Sequence, residues 1–302
     1  MTAFATPPVA APFLLRCCRA LAGPVLAGLI AHPAAAQEAA PPDTAPQDTA
    51  PQERIASHCI ALARNAPPPL LRHAAFTLPG EDRVLLRYLN HASFAVVAED
   101  GTVAVTDYTG HIGAADVAPD LVTMNNSHST HWTAHPDPRI HHVLRGWPEP
   151  GQPNVDHRVD LGMMLVRNVP TDARGWGGEV RRDGNSIFIF EVAGLCIGHL
   201  GHLHQLPSAE QFAAIGRLDI LMVPVDGSVT LGLEDMVAVV RRLRSKVVIP
   251  MHWFSRGSLE WFMQEMATDF DVVETGLNEM AFSIGTLPAR PTVLVLEPAW
   301  LD

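Results

Sequence analysis

From residue 84 onward the chain is a succession of short apolar runs cut by polar breaks. Residues 84–89, 93–97, 103–107, 120–124 and 143–145 have the length and β-branched character of strands. Residues 159–169 and 186–192 extend the pattern. Glu99-Asp100-Gly101 predicts one hairpin turn and Arg182-Asp183-Gly184-Asn185 another. After residue 204 the period changes. Helices are predicted over 209–215, 233–243 and 259–266, interleaved with strands over 220–225 and 247–250, and strands return at 271–273, 281–284 and 293–296. A strand-rich first half followed by alternating helix and strand implies two β-sheets face to face with helices outside, an α/β sandwich. Nothing marks an internal boundary, so residues 54–302 read as one domain.

Upstream the texture differs. Arg16 and Arg19 precede an apolar stretch, and Ala34-Ala35-Ala36 fits a small-residue cleavage site, so residues 1–36 read as a secretory signal peptide. The stretch is broken by Gly23, Pro24 and Gly28 and is shorter than a membrane span needs. Residues 37–53, rich in Pro, Ala, Gln and Thr, read as a disordered linker. Residues 55–63 have helical spacing, ended by Pro67-Pro68-Pro69. The expected location is periplasmic or secreted, with no membrane span after cleavage. Removing residues 1–36 takes two arginines and no acid, so the formal charge goes from −11 to −13. Lys246 is the single lysine and no basic block occurs, which excludes nucleic acid as an expected partner. Export permits a disulfide between Cys59 and Cys196. Two separate buried thiols, or Cys196 as a metal ligand near His199, are the alternatives.

Candidate chemistry sits at the strand exits. Asn125-Asn126-Ser127-His128-Ser129-Thr130-His131-Trp132 follows the run 120–124. Gly198-His199-Leu200-Gly201-His202-Leu203-His204 follows the run 187–197, and Pro250-Met251-His252-Trp253 follows 247–249. A loop at a strand's end can aim an imidazole while a sheet holds its backbone. Imidazole is the commonest ligand for zinc and similar ions.

Taken with their neighbours, these stretches resemble the metallo-β-lactamase fold superfamily, in particular the branch containing ascorbate-phosphate lactonase and related metal-dependent hydrolases. Tyr88-Leu89-Asn90-His91-Ala92-Ser93-Phe94 resembles that branch's Trp-Leu-Gly-His-Ala-Ser-Phe, and Val105-Thr106-Asp107-Tyr108 its Ile-Asp-Pro step. The segment from Cys196 to His204 is similar to its His-Leu-Gly-Asp-Leu-Gly-His. Leu221-Met222-Val223-Pro224-Val225-Asp226-Gly227 and Val248-Ile249-Pro250-Met251-His252 match the last two signatures, in the family's order. The resemblance implies an αβ/βα sandwich with a metal site at one edge. It also exposes departures. Where the family loop reads Thr-His-x-His-x-Asp-His, Asn126 replaces the first histidine and Thr130 the aspartate, while His128 and His131 remain. The bridging aspartate becomes His202. No histidine stands near residues 169–173, where Asp172 is the substitute, and His252 is kept as the terminal ligand.

Two divalent ions and a bridging hydroxide carry about three positive charges, which two carboxylates normally reduce to about one. With both carboxylates replaced by neutral side chains, one metal is expected: zinc first, manganese or iron as alternatives. Its expected ligands are His131, His202 and His252, with His128 as fourth ligand or close neighbour. Three imidazoles and an open position form a catalytic arrangement. The expected activity is hydrolysis of a small-molecule lactone, ester or phosphodiester, with Asp172 or His128 handling protons. The alternative is a non-catalytic metal- or ligand-binding protein on the same fold. His199 and His204 compete with His202 for its place. His91 reads as a structural histidine, Asp107 as a residue that orients a ligand imidazole, and Asp226-Gly227-Ser228 as a turn.

Overall fold

The computed structural model describes residues 57–60 and 76–302, apart from residue 176. The predicted signal peptide, the linker, most of the helical spacing at 55–63 and the proline run lie outside the described residues, and Ser57–Ile60 form a turn. In chain order the strands are β1 (Val84–Asn90), β2 (Ser93–Val97), β3 (Val103–Val105), β4 (Leu121–Met124), β5 (His142–Arg145), β6 (Arg158–Asp160), β7 (Met164–Arg174), β8 (Val180–Val192) and β9 (Leu195–His199). Then come α1 (Ala209–Ile215), β10 (Ile220–Pro224), α2 (Leu233–Leu243), β11 (Val247–Met251), α3 (Arg256–Met266), β12 (Asp271–Glu274), β13 (Glu279–Phe282) and β14 (Thr292–Val295). They form a six-stranded sheet, ordered β13-β1-β2-β3-β4-β5, and an eight-stranded sheet, ordered β12-β14-β11-β10-β9-β8-β7-β6. The fold is the α/β sandwich that the pattern implies.

Strand alternation explains the layers. In β8, Phe188 and Phe190 pack with Leu86, Tyr88 and Phe94 of the other sheet. Ile187 and Ile189 face the opposite way, into a cluster with Met236 and Val240 of α2 and Phe262 and Met266 of α3. Both faces are covered here, so residues 187–190 are apolar without a break. The six-stranded sheet's other face carries Leu85, Leu89, Val97 and Val122 and is covered by loop residues such as Tyr108, Ile112 and Ile140 rather than by a helix among the described residues.

Two sequence expectations change. The apolar run 159–169 is two antiparallel strands, with Leu165 paired to Asp160 across a turn at Gly162. The segment Arg182-Asp183-Gly184-Asn185 is no hairpin turn: it lies inside β8, opposite a register shift between Thr171 and Ala173. Asp183 takes a left-handed φ of 51° there, and Gly184 lies so close to Ala173 that a Cβ on it would come within 2.9 Å. Turn chemistry in a long hairpin has produced a bulge instead of a reversal.

Strand direction decides where the loops meet. β3, β4 and β5 run parallel, as do β9, β10 and β11. Their C-terminal ends therefore share an edge in each sheet. β2 is antiparallel to β3, which brings the β1–β2 turn to that edge. β8 is antiparallel to β9, which brings the distal part of the β7–β8 hairpin there too.

Candidate metal centre

Six side chains come to this edge from six strand exits. His91 lies in the β1–β2 turn, Asp107 after β3, His131 after β4, His202 after β9, Asp226 after β10 and His252 after β11. His131, His202, Asp107, Asp226 and His252 are buried. Three of them, His91, Asp107 and His252, are held at left-handed φ angles of 47°, 44° and 58°. Such conformations cost a non-glycine residue of order 1 kcal/mol each and persist where the surroundings over-determine them. Here they are fastened. The His252 N–H donates to the His91 carbonyl at 2.9 Å, the Tyr88 hydroxyl donates to the same oxygen at 2.6 Å, and the Asn125 N–H donates to Asp107 Oδ1 at 3.0 Å.

The hydrogen bonds fix the protons. His131 Nδ1–H donates to Asp107 Oδ2 at 2.7 Å, and His252 Nδ1–H donates to Asp226 Oδ1 at 3.0 Å. An ionised carboxylate only accepts, so both rings carry hydrogen on Nδ1 and a lone pair on Nε2. Those two Nε2 atoms face each other at 3.2 Å. Two buried lone pairs at that distance have no proton between them and repel, an arrangement that a cation relieves. The His91 Nε2 is also buried and has no hydrogen-bond partner, and the ring nitrogens of His91, His131 and His252 all lie within 4.8 Å of one another. The donor set therefore suits a divalent ion, with each of two imidazoles backed by a carboxylate in the manner common among metal-ligating histidines.

Burial and mutual proximity keep His91, His131 and His202 neutral, the form that ligates. His91 is pushed down to about 3, first by burial and then by His252 and His131. His131 and His202 are lowered for the same reasons. The two carboxylates differ. Burial raises Asp107 to about 6 against the pull of His199 and the Asn125 N–H. Asp226 feels burial as well, but bonds from His252, Thr230 and the Ser228 N–H outweigh it and hold the carboxyl well below its ordinary value.

Of the expected ligands, His131 and His252 meet nitrogen to nitrogen. The His202 ring centroid lies 4.6 Å from that of His131 and 5.2 Å from that of His252, but His202 is outside the trio defined by nitrogen distances. His91 takes that place instead, with its ring 4.0 Å from His252. His128 stands at the margin, 5.7 Å from the His202 ring, with Nδ1 at 3.0 Å from Thr130 Oγ1. Asp172 is not part of the cavity wall: its Oδ1 accepts the Asp183 N–H at 3.0 Å and closes the bulge. His199 is a core residue, donating through Nε2 to the Ala92 carbonyl and accepting at Nδ1 from Asn125 and the Gly201 N–H. His204 turns into the site, with Nε2 at 2.9 Å from His202 Nδ1 and a buried, unpartnered Nδ1. The sequence reading undervalued His91 and Asp226. Both fall in motifs shared with the superfamily, where His91 reads as a structural residue and Asp226 as part of a turn. Cys196 does not ligate; it forms a disulfide with Cys59.

A cavity of about 450 Å³ opens onto the histidines. It is lined by His91, His128, His202, His204 and His252, and by residues of the β7–β8 hairpin.

A family profile described as a beta-lactamase superfamily domain matches residues 85–252, from β1 to the histidine after β11. The chain belongs to the metallo-β-lactamase superfamily. Among curated relatives it is 21% identical over 224 residues to a UPF0173 metal-dependent hydrolase of Thermoplasma volcanium, covering 67% of this chain and 93% of the relative. It is 23% identical to another of that description from Methanoregula boonei, over 61% of this chain and 80% of the relative. A solved structure from Thermotoga maritima, described as a candidate Zn-dependent hydrolase of the superfamily, superposes with a TM-score of 0.51 at 25% identity, covering 71% of this chain and 99% of that one.

Proposed function

We propose that this member of the metallo-β-lactamase superfamily is an exported, metal-dependent hydrolase. It would work with one divalent cation on a small-molecule lactone, ester or phosphodiester. The observation that carries the reading is the pair of Nε2 lone pairs of His131 and His252, fixed at 3.2 Å by carboxylates on the far side of each ring. His91, His131 and His252 would hold the ion, with His202 adjoining. The relatives named metal-dependent hydrolases support the same class. An all-imidazole donor set suits zinc, with iron and manganese as alternatives.

Charge supports a single ion. Asp107 and Asp226 supply two negative charges directly behind the ligands, enough to offset one divalent cation. A second ion would have no carboxylate of its own, since Thr130 and His202, which stand where the family carries aspartates, are neutral. When bound, the cation supplies Lewis acidity, lowering the pKa of water toward neutrality and stabilising charge on an attacked carbonyl or phosphoryl oxygen. The protein's own residues do the rest. Asp107 and Asp226 hold the ligating tautomers. His128, half-buried on the cavity wall, is our candidate for carrying protons between the cavity and solvent. Asp172 has no part, because its carboxylate is bonded within the hairpin. The Cys59–Cys196 disulfide supports export, since such bonds persist in oxidising compartments. Among the described residues no helix is long and apolar enough to cross a membrane.

Elemental analysis of the purified protein should find one transition-metal ion per chain. Turnover of a lactone, ester or phosphodiester panel should be lost with a chelator and restored by metal. His131→Ala should lose both metal and turnover. One bound ion with no turnover anywhere in the panel would favour the binding-protein alternative, and absence of bound metal would overturn the hydrolase reading.

A further inference from the structure

The cavity wall contributed by the β7–β8 hairpin has a chemistry that metal binding does not need. Arg174, exposed at the end of β7, and Arg181, half-buried near the start of β8, both line the cavity. Neither forms an ion pair among the described residues, in a chain whose net formal charge is −11. Arg181 is anchored by one contact, Nη2 to Ser127 Oγ at 2.6 Å. Glu179 is the acid on the same wall, but its carboxylate folds back onto the turn, accepting the Gly177 N–H at 2.9 Å. The hairpin thus offers two guanidinium groups to the cavity, and the one carboxylate it places on that wall bonds back to the turn.

The opposite wall is apolar. Phe254 and Val229 line the cavity from the loops after β11 and β10, yet they are 65% and 44% exposed. Large apolar side chains exposed at a cavity's wall offer an apolar portion of a ligand a surface to cover. Sheet order sets the two walls apart: β9, which leads to His202, runs between β10–β11 on one side and β8–β7 on the other. The histidines therefore lie between a cationic wall and an apolar one.

We infer that the ligand is an amphiphilic anion, with a carboxylate or phosphate group received by Arg174 and Arg181 and an apolar portion lying against Phe254 and Val229. Planar guanidinium groups match both oxyanions and bind them through charge-assisted hydrogen bonds. The inference rests on the hydrolase reading for what is cleaved, and on the cavity walls alone for what is bound.

Calorimetric titration of the full chain with hexylphosphonate, hexanoate and hexanol separates the possibilities. Both anions should bind, hexanol at least tenfold more weakly. Arg174→Ala and Arg181→Ala should each weaken anion binding by tenfold or more, with thermal unfolding unchanged because both side chains reach solvent. Phe254→Ser should weaken hexylphosphonate but leave methylphosphonate unaltered. Tighter hexylphosphonate identifies the group as phosphate-like, and tighter hexanoate as a carboxylate. Equal binding of hexanol, or anion affinity unchanged in both arginine variants, would overturn the inference. The hydrolase reading fails separately. Anion binding without turnover of any ester leaves this inference standing, whereas turnover of anionic esters indifferent to both arginine variants removes it and spares the hydrolase.

Discussion

At His131 and His252 the position of a single hydrogen decides whether the rings can ligate, and Asp107 and Asp226 set that position. Asp107→Asn or Asp226→Asn can present an amide N–H to the ring and favour the other tautomer, which turns the Nε2 lone pair away from service. Each substitution should weaken metal affinity by about 10–100-fold, measurable by competition with a chromogenic chelator. His91→Ala should weaken metal binding more than His202→Ala, because His91 belongs to the trio of converging nitrogens and His202 adjoins it. The reverse order would restore His202 as the ligand expected from sequence. Asp172→Asn should leave metal content and turnover within about twofold, since its carboxylate serves the Asp183 N–H and surface changes of this kind cost little.

Among the elements, the segment joining β9 to His202 is tightly constrained. Gly201 has a φ of 59°, and a Cβ there would come within 2.3 Å of Asn125 Nδ2. Asn125 in turn bonds His199 and the Ser186 carbonyl, so it has no free direction in which to yield. Gly201→Ala combines an unfavourable backbone region, about 1–2 kcal/mol, with a clash against a fixed amide. Urea unfolding should show a loss of more than about 2 kcal/mol, with metal affinity falling as His202 shifts. A variant as stable as the parent would mean that the Asn125 network is softer than its bonds indicate.

For the whole molecule, the turn at Ser57–Ile60 is tied to the eight-stranded sheet twice. The disulfide joins Cys59 to Cys196 of β9 across 137 residues. In the chain-entropy view, closing a loop that long stabilises the fold by roughly 4–5 kcal/mol. Cys59→Ser should lower the melting temperature by on the order of 10 °C for a domain of this size. The second tie is Glu191 of β8, which accepts from the Ser57 hydroxyl, the His58 N–H and Arg167 Nε. Burial alone would raise this carboxyl, but the bonds from Ser57 and Arg167 and the nearby His58 outweigh it and hold it below the ordinary glutamate value. A carboxyl lowered on folding stabilises the fold above its unfolded pKa, about 4.3, and that contribution is lost as pH falls through the depressed folded value. Glu191→Gln should be destabilised by about 3–5 kcal/mol near neutrality, because Arg167 is left buried without its partner. The gap to the parent in urea unfolding should narrow as pH drops below about 4. A gap independent of pH would show that the bond network, not the charge, is what counts.

Periodicity along the chain determined the elements. The core of the β8 run, Ile187 to Val192, the helix over Leu233–Leu243 and the two-sheet architecture all follow from side-chain alternation, which is a local property. The histidines after β4, β9 and β11 were legible for the same reason: each lies in the loop that follows an apolar run. What only the tertiary structure decided is which nitrogens meet. His91 falls in a motif shared with the superfamily, but its meeting with His131 and His252 is not readable there, because its place depends on β2 running antiparallel to β3 and on a left-handed backbone angle fastened by the His252 N–H and Tyr88 hydroxyl. Asp226 looks like a turn residue until β10 lies beside β11 and sets its carboxylate behind His252. Asp172 and the Asp183-Gly184 step show the opposite case. The family resemblance suggested a ligand and local turn chemistry a reversal, and a one-residue register shift between two long strands turned both to holding a bulge. Pairing across a hundred residues or more is set by the packing of both sheets at once, and no stretch of the chain carries that information alone.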